Sequence, residues 1–201
     1  GPAAPPRRRG LADIALCGTM RDALLRREEA AALTWADIAR EDDGSGRLTI
    51  PRSKTDPEAG GAVQYLGPTT MRDLAAIRPL DARPGDRVFG ISGSQVSRRI
   101  AAAARAAGLG NGFSGHSPRV GMAQDLAASG AALPELMQAG RWSTSAMPAL
   151  YVRAQSAGRG AVAKYYAEST SDSPETHEAA SSTGVADPEA FRRGQNPSMG
   201  L

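Results

Sequence analysis

Apolar residues recur every three or four positions along most of this chain, a spacing that predicts amphipathic helices. In the first such stretch, 10–26, the apolar positions are Leu11, Ile14, Ala15, Met20, Leu24 and Leu25. Further helices are predicted over 28–38, 69–80, 92–107, 118–130, 134–139, the segment around Tyr151, and about 158–167. Glycine follows several of these stretches, as it does at helix ends. The pattern therefore predicts a mostly helical protein.

Two short runs favour strands instead. Residues 48–51 (LTIP) and 62–66 (AVQYL) are rich in β-forming side chains and are bounded by turn-forming segments. We expect them to pair as a small antiparallel sheet, with Lys54 in the loop that joins them, and residues 88–89 are a further strand candidate. The predicted fold class is mainly α with a small antiparallel β-sheet.

Composition divides the chain into three parts. Residues 1–10 contain a run of proline and arginine (AAPPRRR) that is predicted to be an extended basic linker, and a linker implies a domain upstream of it. Residues 11–167 carry the periodic apolar pattern of a folded domain. Residues 168–201 are rich in Ser, Thr, Glu, Pro and Gly and are predicted to be a disordered acidic tail.

The bulk composition narrows the class of protein. No run of eighteen apolar residues is present and the N-terminus is not apolar, so neither a membrane span nor a signal peptide is expected. The single cysteine, Cys17, cannot form an internal disulfide, which fits a reducing cytoplasm. Two scattered histidines give no metal-ligand spacing, so no metal is expected.

Positive charge is concentrated in the predicted domain. Residues 1–167 carry 22 Lys+Arg against 15 Asp+Glu, a net charge of +7, whereas 168–201 carry 2 against 6, a net charge of −4. A basic body indicates a polyanion such as DNA, although a solvated arginine-rich surface would look the same. Of 24 basic residues only Lys54 and Lys164 are lysines, so the amine at position 54 stands out.

The candidate chemistry lies between Ser114 and Tyr151. His116 and Arg119 are three residues apart at a predicted helix start, where both side chains and the helix N-terminus favour an anion. Trp142 offers an N–H donor and Tyr151 a hydroxyl nucleophile, and Pro148 breaks the helix between them so that both can face one place. Each pair has an ordinary alternative: a chance His-x-x-Arg, and two aromatic residues of the core.

Arg26 and Lys54 are the upstream candidates. A leaving alkoxide needs a proton donor, and a desolvated lysine can supply a proton that arginine holds too tightly. An exposed hairpin lysine is the alternative at Lys54, and an ordinary surface ion pair with a nearby glutamate is the alternative at Arg26.

The order of these residues resembles the tyrosine recombinase (phage integrase) family. Arginine stands in Leu24-Leu25-Arg26-x-x-Glu29, lysine in a hairpin, then His116-x-x-Arg119, then Trp142 nine residues before Tyr151. Over 115–121, 134–140 and 142–151, this sequence resembles the Cre-like branch of the family at almost every residue. The resemblance covers about 11–167, the family's catalytic domain, and implies its DNA breaking-rejoining fold. An N-terminal DNA-clamping domain would precede the linker.

The resemblance also implies roles for single residues. Arg26 and Arg119 would clamp the scissile phosphate, His116 would accept a proton and bind phosphate, and Trp142 would hold the phosphate. Lys54 would protonate the departing 5′ oxygen, Tyr151 would attack to give a 3′-phosphotyrosine, and Glu29 would orient the site. DNA contacts are expected at Arg7, Arg8, Arg9, Arg52 and Arg141. Arg141 also stands where Cre-like proteins have glycine, and Pro118 fills a variable position of the His-x-x-Arg motif.

The expected activity is therefore site-specific recombination of double-stranded DNA, without metal, ATP or other cofactor. The family implies a homo-oligomer, a tetrameric synapse on DNA, in which the last helix docks into a neighbouring subunit through Val162, Tyr165 and Tyr166. The alternative is that this helix folds back on its own domain. Two alternatives stay open: a catalytically silent DNA-binding protein on the same fold, and a relaxing enzyme like type IB topoisomerase.

Overall fold

A computed structural model describes residues 6–51 and 61–156, with no description of the side chains of residues 6–8, 152 and 154–156. The helices are α1 (Pro6–Asp22), α2 (Arg27–Ala32), α3 (Pro68–Ile77), α4 (Gly93–Ala106), α5 (Ser117–Ala128), α6 (Leu133–Gly140) and α7 (Ala146–Ser156). The strands are β1 (Ile38–Arg40), β2 (Gly46–Ile50) and β3 (Ala62–Leu66), and one 3-10 turn spans Trp35–Asp37. This is the predicted class, mainly helical with a small antiparallel sheet.

The first helix begins earlier than the sequence predicted. It starts at Pro6, so residues 6–10 are helical and not an extended linker. Proline is tolerated in a first turn, and the start of the helix is held to α4 because Arg99 bonds the Arg9 carbonyl at 3.1 Å and the Asp13 carboxylate. Of the expected inward positions, Leu11 and Ile14 are exposed by 38% and 55%, and Leu16 is fully buried instead.

The sheet has a strand that the sequence analysis missed. We predicted helix over 28–38, but α2 stops at Ala32 and β1 follows the 3-10 turn. Asp37 bonds the backbone N–H of Thr34 at 2.9 Å and so stabilises that turn. A tight turn around Gly44 joins β1 to β2, and β2 pairs with β1 on one side and β3 on the other, both antiparallel. Pairing across the sheet overrides the local helical spacing.

Two other predictions differ from the structure: the end of α3 and the strand expected at 88–89. Helix α3 ends at Ile77 and not at Leu80 because Pro79 forces Arg78 into an extended conformation. The strand expected at 88–89 is replaced by an isolated bridge between Thr34 and Arg87. Helix α4 is capped by Ser92, whose hydroxyl accepts from the backbone N–H of Gln95.

The described residues pack around two apolar clusters. The larger one is formed by the four helices α1, α2, α3 and α4 together with the sheet. Its members include Leu16, Met20, Trp35, Leu48, Leu66, Leu74, Val96 and Ile100. The smaller one lies at the C-terminal end of α1, where Leu24, Ala123 and Tyr151 are buried and Trp142 packs on them. The candidate nucleophile is therefore part of this smaller core.

Candidate active site

Two helices end at the site in the same way, with a left-handed residue other than glycine. After α1, Leu24 has φ +45°, its N–H bonds the Arg21 carbonyl, and the next N–H bonds the Met20 carbonyl. After α6, Arg141 has φ +55° and ψ +46°. Its N–H bonds the Gln138 carbonyl, and the N–H of Trp142 bonds the Met137 carbonyl, as in the turn after α1. This hydrogen-bond pattern is the Schellman motif, which normally places glycine at the left-handed position.

These two turns aim helix-end carbonyls at one guanidinium. Arg119, from the first turn of α5, is 2% exposed and donates to the backbone oxygens of Leu24 and Gly140. Its guanidinium carbon lies 4.7 Å from the centre of the Trp142 ring. The carbonyl ends of helices carry partial negative charge, so Arg119 joins α1, α5 and α6 at a single point.

Trp142 and Tyr151 lie side by side, with ring centroids 5.9 Å apart. Trp142 precedes α7, Tyr151 lies in α7, and Pro148 is accommodated in the first turn of that helix. The break that lets the two rings meet lies between α6 and α7, over residues 141–145. Pro148, which we expected to break the helix, does not interrupt it. Tyr151 is 8% exposed, and it lies close enough to Arg119 to be among the groups that act on the pKa of that guanidinium.

Glu29 is the acidic centre of this cluster. Its carboxylate accepts from the backbone N–H of Arg26 at 2.7 Å and from the Arg26 guanidinium at 3.3 Å. Arg141 donates two bonds to the same carboxylate, both at 2.8 Å, and a third to the Leu24 carbonyl at 3.1 Å. These donors hold the pKa of Glu29 below its usual range although burial opposes them, so Glu29 is ionised at neutral pH.

Burial, together with the surrounding positive charge, lowers the pKa of the two residues of the His-x-x-Arg motif. Burial, followed by the nearby charges of Arg141 and Arg26, lowers the pKa of Arg119 to about 10. Arg119 therefore stays charged at neutral pH but is electrostatically strained, which favours an incoming anion. Partial burial and the charges of Arg119 and Arg26 likewise lower the pKa of His116, so its imidazole is mostly neutral at pH 7.

We expect the NMR titration of His116 to have its midpoint below the ordinary value of 6.5. Because the folded state binds this proton less readily than the unfolded chain, His116 contributes stability that is present above about pH 6.5 and is lost as pH falls through that value toward the folded pKa. The side chain is exposed in large part, so we expect the effect on stability to be small and the titration itself to be the sensitive measurement.

The Arg26→Gln variant should raise this midpoint and inorganic phosphate should raise it further, because removal of a cation and addition of an anion both favour imidazolium. The exposed Arg72, whose variant Arg72→Gln leaves the cluster intact, serves as the control, and a His177→Gln variant assigns the two histidine signals. If the midpoint of His116 lies at 6.5 or above and does not change in the Arg26→Gln variant, then Arg26 and Arg119 are not close to His116.

A second prediction concerns Gly140, whose missing side chain makes room for the indole. A Cβ added there would overlap the six-membered ring of Trp142, whereas one added at Gly121 in α5 would meet its nearest neighbour, Arg21 Nη1, at 3.8 Å. Gly140→Ala should therefore displace Trp142 and cost about 1–3 kcal/mol of stability. Gly121→Ala is the matched control and should be neutral or stabilising by up to about 1 kcal/mol. Tryptophan fluorescence and thermal denaturation measure both effects.

The structure thus brings together six of the sequence-predicted residues: Arg26, Glu29, His116, Arg119, Trp142 and Tyr151. A concave surface of about 480 Å³ lies beside His116, between the 111–114 loop and α5. A larger one, of about 1060 Å³, lies against α4 and is lined by none of these six.

Other predicted residues lie elsewhere or outside the described part of the chain. Arg9 lines the larger concave surface, which none of the six cluster residues lines, and Arg7 and Arg8 are described in backbone only. Arg141 differs from the prediction: we expected a DNA contact, but its side chain is 10% exposed and bound to Glu29. The residues outside the description are Arg52, Lys54, Val162, Tyr165 and Tyr166, together with 158–167 and the tail.

Sequence reasoning missed the partners that fix the cluster. The carbonyls of Leu24 and Gly140 gave no signal, because any residue has one. Arg141 did give a signal, since it stands directly after α6, where the family resemblance led us to expect glycine.

Two further observations bear on the class of protein. Among residues 6–51 and 61–156, no three His, Cys, Asp or Glu side chains gather closely enough to bind a metal ion. No helix in the same ranges has both the length and the apolar character needed to cross a membrane.

Comparison with known proteins identifies the family. The model of the phage integrase family matches residues 4–157, which is most of the chain. This chain therefore belongs to the phage integrase family and contains a tyrosine recombinase catalytic domain.

Particular relatives agree with this assignment. The chain is 29% identical over 178 residues to the recombinase Cre of Escherichia phage P1, in a match covering 76% of this chain and 52% of Cre. It thus spans about half the length of that relative. Its fold is similar to that of the XerA recombinase (TM-score 0.56, 12% identity, 87% of this chain and 66% of that one).

The fold is also similar to that of the XerH site-specific recombinase in its pre-cleavage complex with the difH substrate. That likeness has a TM-score of 0.60 at 14% identity and covers 86% of this chain and 50% of XerH.

Proposed function

We propose that this chain is the catalytic part of a site-specific recombinase that cuts and rejoins double-stranded DNA through a 3′-phosphotyrosine. The observation that carries the proposal is the meeting of Arg26, His116, Arg119, Trp142 and Tyr151 at one place. They come from the N-terminal ends of α2 and α5, the α6–α7 connection and α7. Family membership supports the same chemistry, and XerH, of similar fold, is a recombinase bound to its DNA substrate.

The cluster suits a phosphodiester because its positive charges are already in place. Arg119 is anchored by two carbonyls and stacked on Trp142, so little reorganisation is needed when charge develops on the phosphate. The N-terminus of α5 adds backbone dipoles that favour an anion. Arg26 and the Trp142 N–H supply further donors for the non-bridging oxygens.

In the proposed cleavage step, the Tyr151 oxygen attacks phosphorus and its proton passes to the neutral His116. The bond from phosphorus to the 5′ oxygen breaks, and Lys54 protonates that oxygen. A 5′-hydroxyl of the same or another strand then reverses the step and restores a phosphodiester. The phosphotyrosyl ester replaces the DNA ester at the same phosphorus and is later exchanged back. Because no ester is hydrolysed, rejoining needs no external energy source.

The proposal extends to partners. We propose that the protein works on DNA as a homo-oligomer, a tetrameric synapse, in the bacterial cytoplasm. Val162, Tyr165 and Tyr166 are proposed to dock into a neighbouring subunit, and Arg7, Arg8, Arg9 and Arg52 to contact the DNA backbone. The positive charge of residues 1–167, +7, supports binding to a polyanion.

The test uses a pool of nicked duplexes of randomised sequence, in which cleavage releases a short strand and traps the covalent complex. We expect a protein–DNA adduct that resists detergent, with mass spectrometry locating phosphotyrosine at Tyr151. DNA retention without an adduct would favour a silent DNA-binding protein. Relaxation of supercoiled plasmid without any preferred sequence would favour a type IB topoisomerase-like activity.

A further inference from the structure

Arg141 occupies a backbone conformation that ordinarily selects glycine. Helices α4 and α5 end with the same pair of turn bonds as α6, and there the left-handed residues are Gly108 and Gly130. At the end of α6 the residue is arginine, with φ +55°. A side chain retained at a position that disfavours side chains points to a use for it.

The contacts of Arg141 show what that use is. Its guanidinium makes two bonds of 2.8 Å to Glu29 and one of 3.1 Å to the Leu24 carbonyl. The Arg26 bond to the same carboxylate is 3.3 Å, and the Arg26 side chain is 41% exposed where that of Arg141 is 10% exposed. Most of the neutralisation of Glu29 therefore comes from Arg141.

The backbone of Arg26 keeps Glu29 close to the candidate phosphate site, because its N–H donates to the carboxylate at 2.7 Å. An unneutralised carboxylate at that distance would attract the Arg26 guanidinium in competition with a DNA phosphate. Arg141 reduces this competition by binding both carboxylate oxygens of Glu29.

We propose that Arg141 is a positioning residue that neutralises Glu29 and thereby lets a phosphate outcompete Glu29 for the Arg26 guanidinium. This inference rests on the proposed function of the site but concerns anion binding, so it is measurable without any reaction. Arg141 touches no reacting atom in this scheme, and it acts through Glu29 and Arg26.

The first test is the Arg141→Gly variant, which suits the left-handed backbone and should fold. We expect it to weaken inorganic phosphate binding, followed through the NMR signal of His116, and to slow adduct formation on the nicked duplexes, each by about tenfold. Arg72→Ala, in the exposed face of α3, is the control and should change neither. Unchanged phosphate affinity in Arg141→Gly would overturn the inference.

Second-site variants separate positioning from simple loss of structure or charge. Adding Glu29→Gln to Arg141→Gly removes the competing carboxylate and should restore at least half of the lost phosphate affinity, which a purely structural role would not allow. In an Arg26→Ala background Arg141→Gly should cost little further affinity, whereas a general charge effect would cost the same as before. The inference is wrong if Glu29→Gln does not restore phosphate affinity, or if Arg141→Gly costs as much affinity in the Arg26→Ala background as in the parent.

The two readouts keep the inference distinct from the proposed function. If the parent binds phosphate as expected and forms no adduct, the recombinase proposal fails while the Arg141 inference stands or falls on the phosphate data. If the parent forms the adduct and the Arg141 variants show no coupling with Arg26 or Glu29, the inference alone fails.

Discussion

Tyr151→Phe abolishes the covalent protein–DNA adduct: this is the largest effect we expect of any substitution in the chain. The change removes the only atom that attacks phosphorus in the proposed mechanism, and losses of a nucleophile reach about 10⁴-fold or more. The ring itself is kept, so its packing against Trp142 and in the smaller core is kept. We therefore expect the thermal midpoint and DNA retention to match the parent.

The measurement is trapping on nicked duplexes, with adduct resolved from free protein in denaturing gels. Tyr65, on the outer face of β3 and 59% exposed, offers the matched control, and Tyr65→Phe should form adduct at the parental rate. An adduct of undiminished yield in Tyr151→Phe would assign the nucleophile to another residue and remove the main support of the proposed function.

Arg119→Ala should combine the largest loss of stability with loss of the reaction. The side chain is 2% exposed and bridges the Leu24 and Gly140 carbonyls. Its removal leaves a cavity, takes the Arg119 donor from the Gly140 carbonyl and leaves the Leu24 carbonyl with the Arg141 bond, for a loss of about 3–5 kcal/mol. In a domain of this size that corresponds to a fall of roughly 10 °C in the thermal midpoint.

A second variant separates packing from charge at this position. Arg119→Met fills the same space without a buried cation, and removing a charge whose pKa is already lowered to about 10 relieves repulsion. We expect Arg119→Met to recover part of the stability lost in Arg119→Ala and none of the adduct formation. Circular dichroism and the trapping assay measure the two properties. An Arg119→Ala protein as stable as the parent would show that the two carbonyl bonds contribute little.

The fold class followed from local pattern because its determinants are local. Helical spacing, the Ser92 cap and the glycines after α4 and α5 are each decided within a few residues of the chain. The errors came where a distant partner decided. Strand β1 exists because β2 pairs with it, and α1 extends to Pro6 because α4 holds its first turns.

The sequence by itself also determined which chemistry to look for. Nucleophile, guanidinium and imidazole can be read from residue type and from their order along the chain, which is also why the resemblance to a family was visible. What only the tertiary structure decided is how those groups are held. Every residue has a backbone carbonyl, whatever its side chain. The amino-acid sequence therefore could not show that the carbonyls of Leu24 and Gly140 bind Arg119.

Arg141 shows the same division within one residue. The sequence marked it as an arginine in place of glycine, and its charge predicted a contact with DNA. In the folded chain, Glu29 lies 112 positions away in sequence and yet 2.8 Å from the Arg141 guanidinium, so the charge is directed inward. A residue's chemistry is fixed by its side chain, but its partner is fixed by the packing of the whole domain.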